Sequence, residues 1–110
     1  LMNGACIIGY LRKKDMEFYG VDGKDLDGIV SQLRLTKGVE VAMFLYETET
    51  QTFKVSLRSN GHVDVSRIAV YFGGGGHTRA AGCDLQGSMY DVINNVTREI
   101  ERQICMEKVR

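Results

Sequence analysis

At 110 residues, with 44% hydrophobic and 25% charged side chains, the chain has the make-up of one globular domain that needs no metal or disulfide to hold a core. Lys plus Arg equals Asp plus Glu at 14 each, so net charge gives no bulk attraction to nucleic acid and any phosphate binding has to be local. Three widely spaced cysteines, Cys6, Cys83 and Cys105, without a Cys-x-x-Cys pair argue against a disulfide framework and a zinc site and suit a cytoplasmic protein.

No apolar run reaches the roughly 18 residues of a membrane span, and no basic-then-apolar signal pattern opens the chain, so no membrane partner is expected. The sequence starts at Leu1 with Met2 behind it, which reads as a piece of a longer protein.

In chain order, Ala5 to Leu11 is an apolar run of strand formers and reads as a buried strand. Lys13 to Gly20 is charged and too short in pattern to separate a helical turn from a loop. Leu26, Ile29, Val30 and Leu33 carry the spacing of one helix face, with Gly38 as the stop. Gly28 weakens that helix by about 1 kcal/mol relative to alanine, so tertiary contacts have to hold it. Val39 to Tyr46 predicts an interior strand covered on both faces. The polar Glu47–Gln51 segment is of hairpin length and predicts an antiparallel partner. In that partner Phe53, Val55 and Leu57 alternate with Lys54, Ser56 and Arg58, one face for the core and the other for solvent or ligand.

Asn60-Gly61 signals a turn. Asp64 is a good N-cap for a helix through Val65, Ile68, Ala69 and Phe72, with Val63 and Ile68 at staple positions. Four consecutive glycines, Gly73 to Gly76, end it. Ala80 to Leu85 predicts a strand of small residues. Ser88 and Asp91 form a capping-box-like start to a helix whose stripe is Met89, Val92, Ile93, Val96, Ile100 and Ile104, with Asn94, Arg98, Glu99, Glu101 and Arg102 solvated. The five tyrosines and four phenylalanines fall mostly at core positions. Together these elements predict an α/β fold over residues 1–110: a mixed β-sheet of about five strands with helices packed on it.

The glycine run is the stretch with chemistry. Glycine admits close approach of a ligand to the backbone, and successive N–H groups can turn inward as an anion-binding nest. It is not a P-loop, because His77-Thr78 follows the last glycine and the loop has no lysine, and the dinucleotide fingerprint fails at Thr78 and Arg79.

Gly73-Gly74-Gly75-Gly76-His77 followed by Ala80-Ala81-Gly82, with Lys54-Val55-Ser56-Leu57-Arg58-Ser59 upstream, resembles the DHH-associated domain of DHH-family phosphoesterases. The nearest branch is the bifunctional oligoribonuclease and 3′-phosphoadenosine-5′-phosphate phosphatase, or nanoRNase, over about Ile8 to Ile104. The resemblance implies that Gly73, Gly74, Gly75, Gly76 and His77 contact a substrate phosphate or terminal nucleotide, and that Arg58 and Ser59 hold its phosphate or sugar. An arginine can fork two hydrogen bonds to phosphate oxygens.

Two-metal hydrolysis needs several carboxylate and histidine ligands. The chain has two histidines, His62 and His77, no Asp-His-His, and scattered aspartates, so neither catalytic nor metal residues, nor a bound cofactor, are expected within it. The resemblance implies a manganese centre in a missing N-terminal DHH domain of the same chain, this segment being the C-terminal, substrate-binding part and inactive alone. Very short RNA or nucleotide is the implied substrate, and homo-oligomerisation is left open. Two other readings stand beside it: a non-catalytic RNA- or nucleotide-binding module, as glycine-rich domains of this kind accompany alanyl-tRNA synthetases, and a linear or cyclic dinucleotide phosphodiesterase. Arg79 reads as a rim charge, Lys54 as solvated, His62 as a turn residue, and Cys83 as buried packing.

Overall fold

In the computed structural model, residues 6–14, 28–30, 32–33 and 35–109 are described. Five strands form one mixed sheet: β1 (Cys6–Leu11), β2 (Val41–Glu49), β3 (Thr52–Ser59), β4 (Gly75–His77) and β5 (Ala80–Gln86), in the order β1-β2-β3-β5-β4. β1 runs parallel to β2, and every other pairing is antiparallel. Helix α1 (Val65–Tyr71) crosses between β3 and β4, and α2 (Met89–Val109) closes the chain.

Period-two alternation divides the sheet cleanly. On one face Cys6, Val41, Met43, Leu45, Phe53, Val55, Leu57, Ala81 and Cys83 pack with Val65, Ile68 and Ala69 of α1 and Val92, Val96 and Ile100 of α2. On the other, Ala42, Phe44 and Tyr46 meet Val30, with Ile7, Leu11 and Leu33 at the margin. Residues 28–30 and 32–33 are helical, as the spacing predicts; Leu26, and most of Lys13 to Gly20, lie outside the described residues. Gly38 has φ +83° in the turn after this segment. Among the described residues the second layer therefore covers the β1–β2 half of that face.

Two readings change. β1 is an edge strand, half-buried rather than fully buried, because among the described residues only β2 pairs with it. Tyr10, Tyr71 and Tyr90 are exposed, whereas Phe44, Tyr46 and Phe53 are core.

Helix α1 forms as its capping residues dictate. The Asp64 carboxylate accepts from the N–H groups of Ser66 (3.0 Å) and Arg67 (3.4 Å), filling two of the orphan donors of the first turn. Val63 and Ile68 both enter the core, completing the staple. Gln103 of α2 then ties the two helices together through the Asp64 backbone. On α2, Asp91 N–H donates to Ser88 Oγ at 3.1 Å, and the stripe from Met89 to Ile104 lies against the sheet.

Candidate functional site

The glycine run is not a nest. Gly73 follows the last residue of α1's C-cap with φ +87°, its N–H donates to Val70 C=O (3.0 Å), and Gly74 N–H donates to Ala69 C=O (2.8 Å). This is the Schellman pattern. Two of the four glycine N–H groups are thus spent on ending the helix, and the next residues, Gly75 to His77, become the edge strand β4 against β5.

Sterics explain the composition. A Cβ on Gly74 would strike the Gly82 carbonyl oxygen and stand 2.8 Å from Cys83 Cα, and one on Gly76, where φ is +147°, would stand 2.5 Å from Ala81 Cα. A Cβ on Gly75 would meet nothing within 4 Å. Gly74 and Gly76 are therefore required by the fold, while Gly75 leaves open the space above the sheet.

Register then assembles a surface. Residues directly opposite in a ladder share a face, so Arg58, Ala80 and His77 form one row across β3, β5 and β4. The next row is Ser56, Gly82 and Gly75, and beyond it stand Lys54 and Asp84. Lys54, Gly73, Gly74, Gly75, Gly82, Cys83 and Asp84 line an open cleft of about 280 Å³. Its floor is nearly bare of side chains between Arg58 and His77 at one end and Lys54 and Asp84 at the other. Arg58 and His77 lie two interstrand spacings apart, roughly 10 Å between their backbones.

The row sets a guanidinium and an imidazole beside a flat, nearly bare floor. Arg58 spends one guanidinium N–H on Leu57 C=O (2.9 Å), and its other N–H groups meet no partner among the described residues. His77 is exposed. The hairpin that carries it is pinned: Ser59 N–H donates to Arg79 C=O (2.9 Å) and Val65 N–H to Thr78 C=O (3.0 Å).

Of the expected site residues, Arg58, Gly75 and His77 come together on the open face, and Gly73, Gly74 and Gly76 frame it. Ser59 does not join them. It is 1% exposed, on the core side of the sheet with Leu57, and its Oγ accepts from Gly61 N–H at 3.3 Å. Continuing the alternation of Phe53, Val55 and Leu57 by one step predicts that placement. The same count puts Ser56 on the face with Arg58, where it is 8% exposed and its hydroxyl makes no hydrogen bond to another described residue. Lys54, read as solvated, is exposed yet lines the cleft. Arg79 donates from Nη1 to Asn60 C=O (3.4 Å), and the N–H of His62 to Glu40 Oε1 (2.9 Å).

Cys83 is buried, and burial, aided by the Asp84 carboxylate, pushes its thiol from 9.0 up to about 11; a thiol so disposed is a poor nucleophile. Among the described residues no group of three or more His, Cys, Asp or Glu side chains is placed to hold a metal ion. The described part of the chain thus offers manganese no ligand set. No helix among the described residues is long and apolar enough to cross a membrane.

The chain is similar to several known proteins. The bifunctional oligoribonuclease and PAP phosphatase NrnA of Thermus thermophilus is 39% identical over 84 residues, covering 72% of this chain and 26% of that protein. An exopolyphosphatase-related protein from Bacteroides fragilis superimposes with a TM-score of 0.77 at 28% identity, over 89% of this chain and 29% of that one. The C-Ala domain of Aquifex aeolicus alanyl-tRNA synthetase shares the fold, with a TM-score of 0.65 at 12% identity over 89% of this chain and 88% of that one. The chain thus spans about a quarter of the curated relative's length. The DHHA1 domain model matches residues 3–105, and the chain belongs to that family, the DHH-associated domain of DHH-family phosphoesterases.

Proposed function

We propose that this chain is the substrate-gripping domain of a metal-dependent phosphoesterase that degrades very short oligoribonucleotides and dephosphorylates 3′-phosphoadenosine-5′-phosphate. The observation that carries the reading is the row Arg58–Ala80–His77 beside the bare Ser56–Gly82–Gly75 floor. Arg58 and His77 hold the phosphate; Gly75 and Gly82 let the nucleotide lie against the sheet. Bond cleavage belongs to a DHH domain of the same protein, where manganese would polarise the phosphoryl group and activate water. The 39% identity to an enzyme named for both activities supports this.

The test is steady-state hydrolysis of a diribonucleotide and of 3′-phosphoadenosine-5′-phosphate by the intact protein and its Arg58→Ala variant. A charge-assisted contact made in the bound state and lost on truncation is worth about 1.5–3 kcal/mol, so KM rises about tenfold or more with a smaller change in kcat. An unchanged KM counts against Arg58 as a phosphate contact. Nucleotide binding with no hydrolysis of either substrate favours a non-catalytic binding module.

A further inference from the structure

Ser56 stands at a corner of the open face. Across the β2–β3 ladder it pairs with Phe44, which is buried and packs with Val30 and Leu33 of the second layer. Across the β3–β5 ladder it pairs with Gly82, and Gly82 with Gly75. An apolar step thus rises on one side of Ser56, while on the other two positions in succession carry no side chain. Ser56 is 8% exposed, yet its hydroxyl makes no hydrogen bond to another described residue. Buried polar groups are nearly always paired, so a hydroxyl this buried with no described partner points to one supplied by a ligand. Arg58 follows two residues along the same face, about 7 Å away at strand rise, with guanidinium N–H groups that meet no partner among the described residues.

We infer that the Ser56 hydroxyl reads the ribose 2′-hydroxyl next to a 3′-phosphate held by Arg58, making the domain selective for ribonucleotides over deoxyribonucleotides; the inference rests on the phosphate grip proposed above. A serine hydroxyl both donates and accepts, as a 2′-hydroxyl does, whereas phosphate oxygens accept and are met by the guanidinium. Phe44 beside Ser56 favours a neutral group there, because a charge set against an apolar wall is costly. The 2′-hydroxyl and the 3′-phosphate sit on adjacent carbons of one sugar, which suits two contact residues two apart on one strand face. Both proposed substrates carry that pair: it stands at each 3′-linkage of an oligoribonucleotide and in 3′-phosphoadenosine-5′-phosphate. Gly82 and Gly75 leave the sugar room to lie on the sheet while its edge reaches Ser56.

The experiment is calorimetric titration of the intact protein, without added metal, with 3′-phosphoadenosine-5′-phosphate and with its 2′-deoxy analogue, repeated for Ser56→Ala and Arg58→Ala. The wild type is expected to bind the ribose form about tenfold more tightly, the value of one hydrogen bond whose loss leaves a buried hydroxyl unpaired. Ser56→Ala brings the ribose form down to the level of the deoxy form and leaves the deoxy form within about twofold of wild type. Arg58→Ala weakens both forms alike. Equal wild-type affinity for the two sugars, a preference that persists in Ser56→Ala, or an equal loss for both sugars in that variant overturns the sugar reading and leaves the phosphate grip standing. Failure of both forms to bind the wild type, or Arg58→Ala leaving both unchanged, overturns the grip and the sugar reading with it.

Discussion

The side-chain amide of Gln103 holds both backbone polar groups of Asp64: Oε1 accepts from the Asp64 N–H and Nε2 donates to its C=O, each at 2.9 Å. One side chain late in α2 thereby fixes the entry to α1, thirty-nine residues away in sequence. Gln103→Ala leaves two partly buried backbone groups to find water, at about 1–2 kcal/mol. Urea denaturation should show a lower midpoint with an unchanged slope; an unaltered midpoint would mean that solvent already serves these groups. Asp64→Ala, which loses the cap itself, costs about 1 kcal/mol.

The glycines separate fold from function. Gly76→Ala puts a methyl within contact of Ala81 and asks for an unfavourable φ, so thermal unfolding should move down by several degrees, as expected for a loss above about 1 kcal/mol. Gly75→Ala meets open space and should leave unfolding unchanged while weakening nucleotide binding severalfold. If both variants unfold early, the space above Gly75 is not spare.

Arg58 and Ser59 are sequence neighbours on opposite faces, and their variants should behave as such. Ser59→Ala removes the acceptor for Gly61 N–H and is expected to cost about 1 kcal/mol of stability with nucleotide affinity retained. Loss of affinity at full stability would return Ser59 to the ligand face.

Thiol chemistry gives a pH signature. Burial pushes the Cys6 and Cys83 thiols from 9.0 to about 11. Because the unfolded chain releases these protons first, stability is full below about pH 9 and falls as pH rises toward about 11. The urea midpoint should drop over that window, and less steeply in Cys83→Ala. Near neutral pH a thiol reagent should label exposed Cys105 quickly in the native protein and the other two cysteines only on unfolding.

Much of the fold is legible because local chemistry and packing agree. The Asp64 cap, the Val63–Ile68 staple, the β2–β3 hairpin and the α2 stripe each follow from residue type at fixed spacing. Strand β4 is different. Glycine carries no pattern for a strand, and Gly75 to His77 pair only because α1's cap delivers them to the β5 edge. The β1–β2 parallel pairing is equally hidden, since thirty-odd residues separate the partners and no local signal encodes the match. At the site, residue type and resemblance single out Arg58 and His77 as candidate phosphate contacts, while the placing of Ser56 and Asp84 on the same face emerges only from register, which decides who stands beside whom.

The pinned hairpin bears on the cost of recognition. Four glycines in a free loop would have to surrender wide conformational freedom when a ligand arrives. Here the α1 cap holds one end, and the Ser59–Arg79 and Val65–Thr78 hydrogen bonds hold the other. That entropy is lost when the domain folds, so a nucleotide bound as proposed would meet a surface already in place and keep more of its contact energy as affinity.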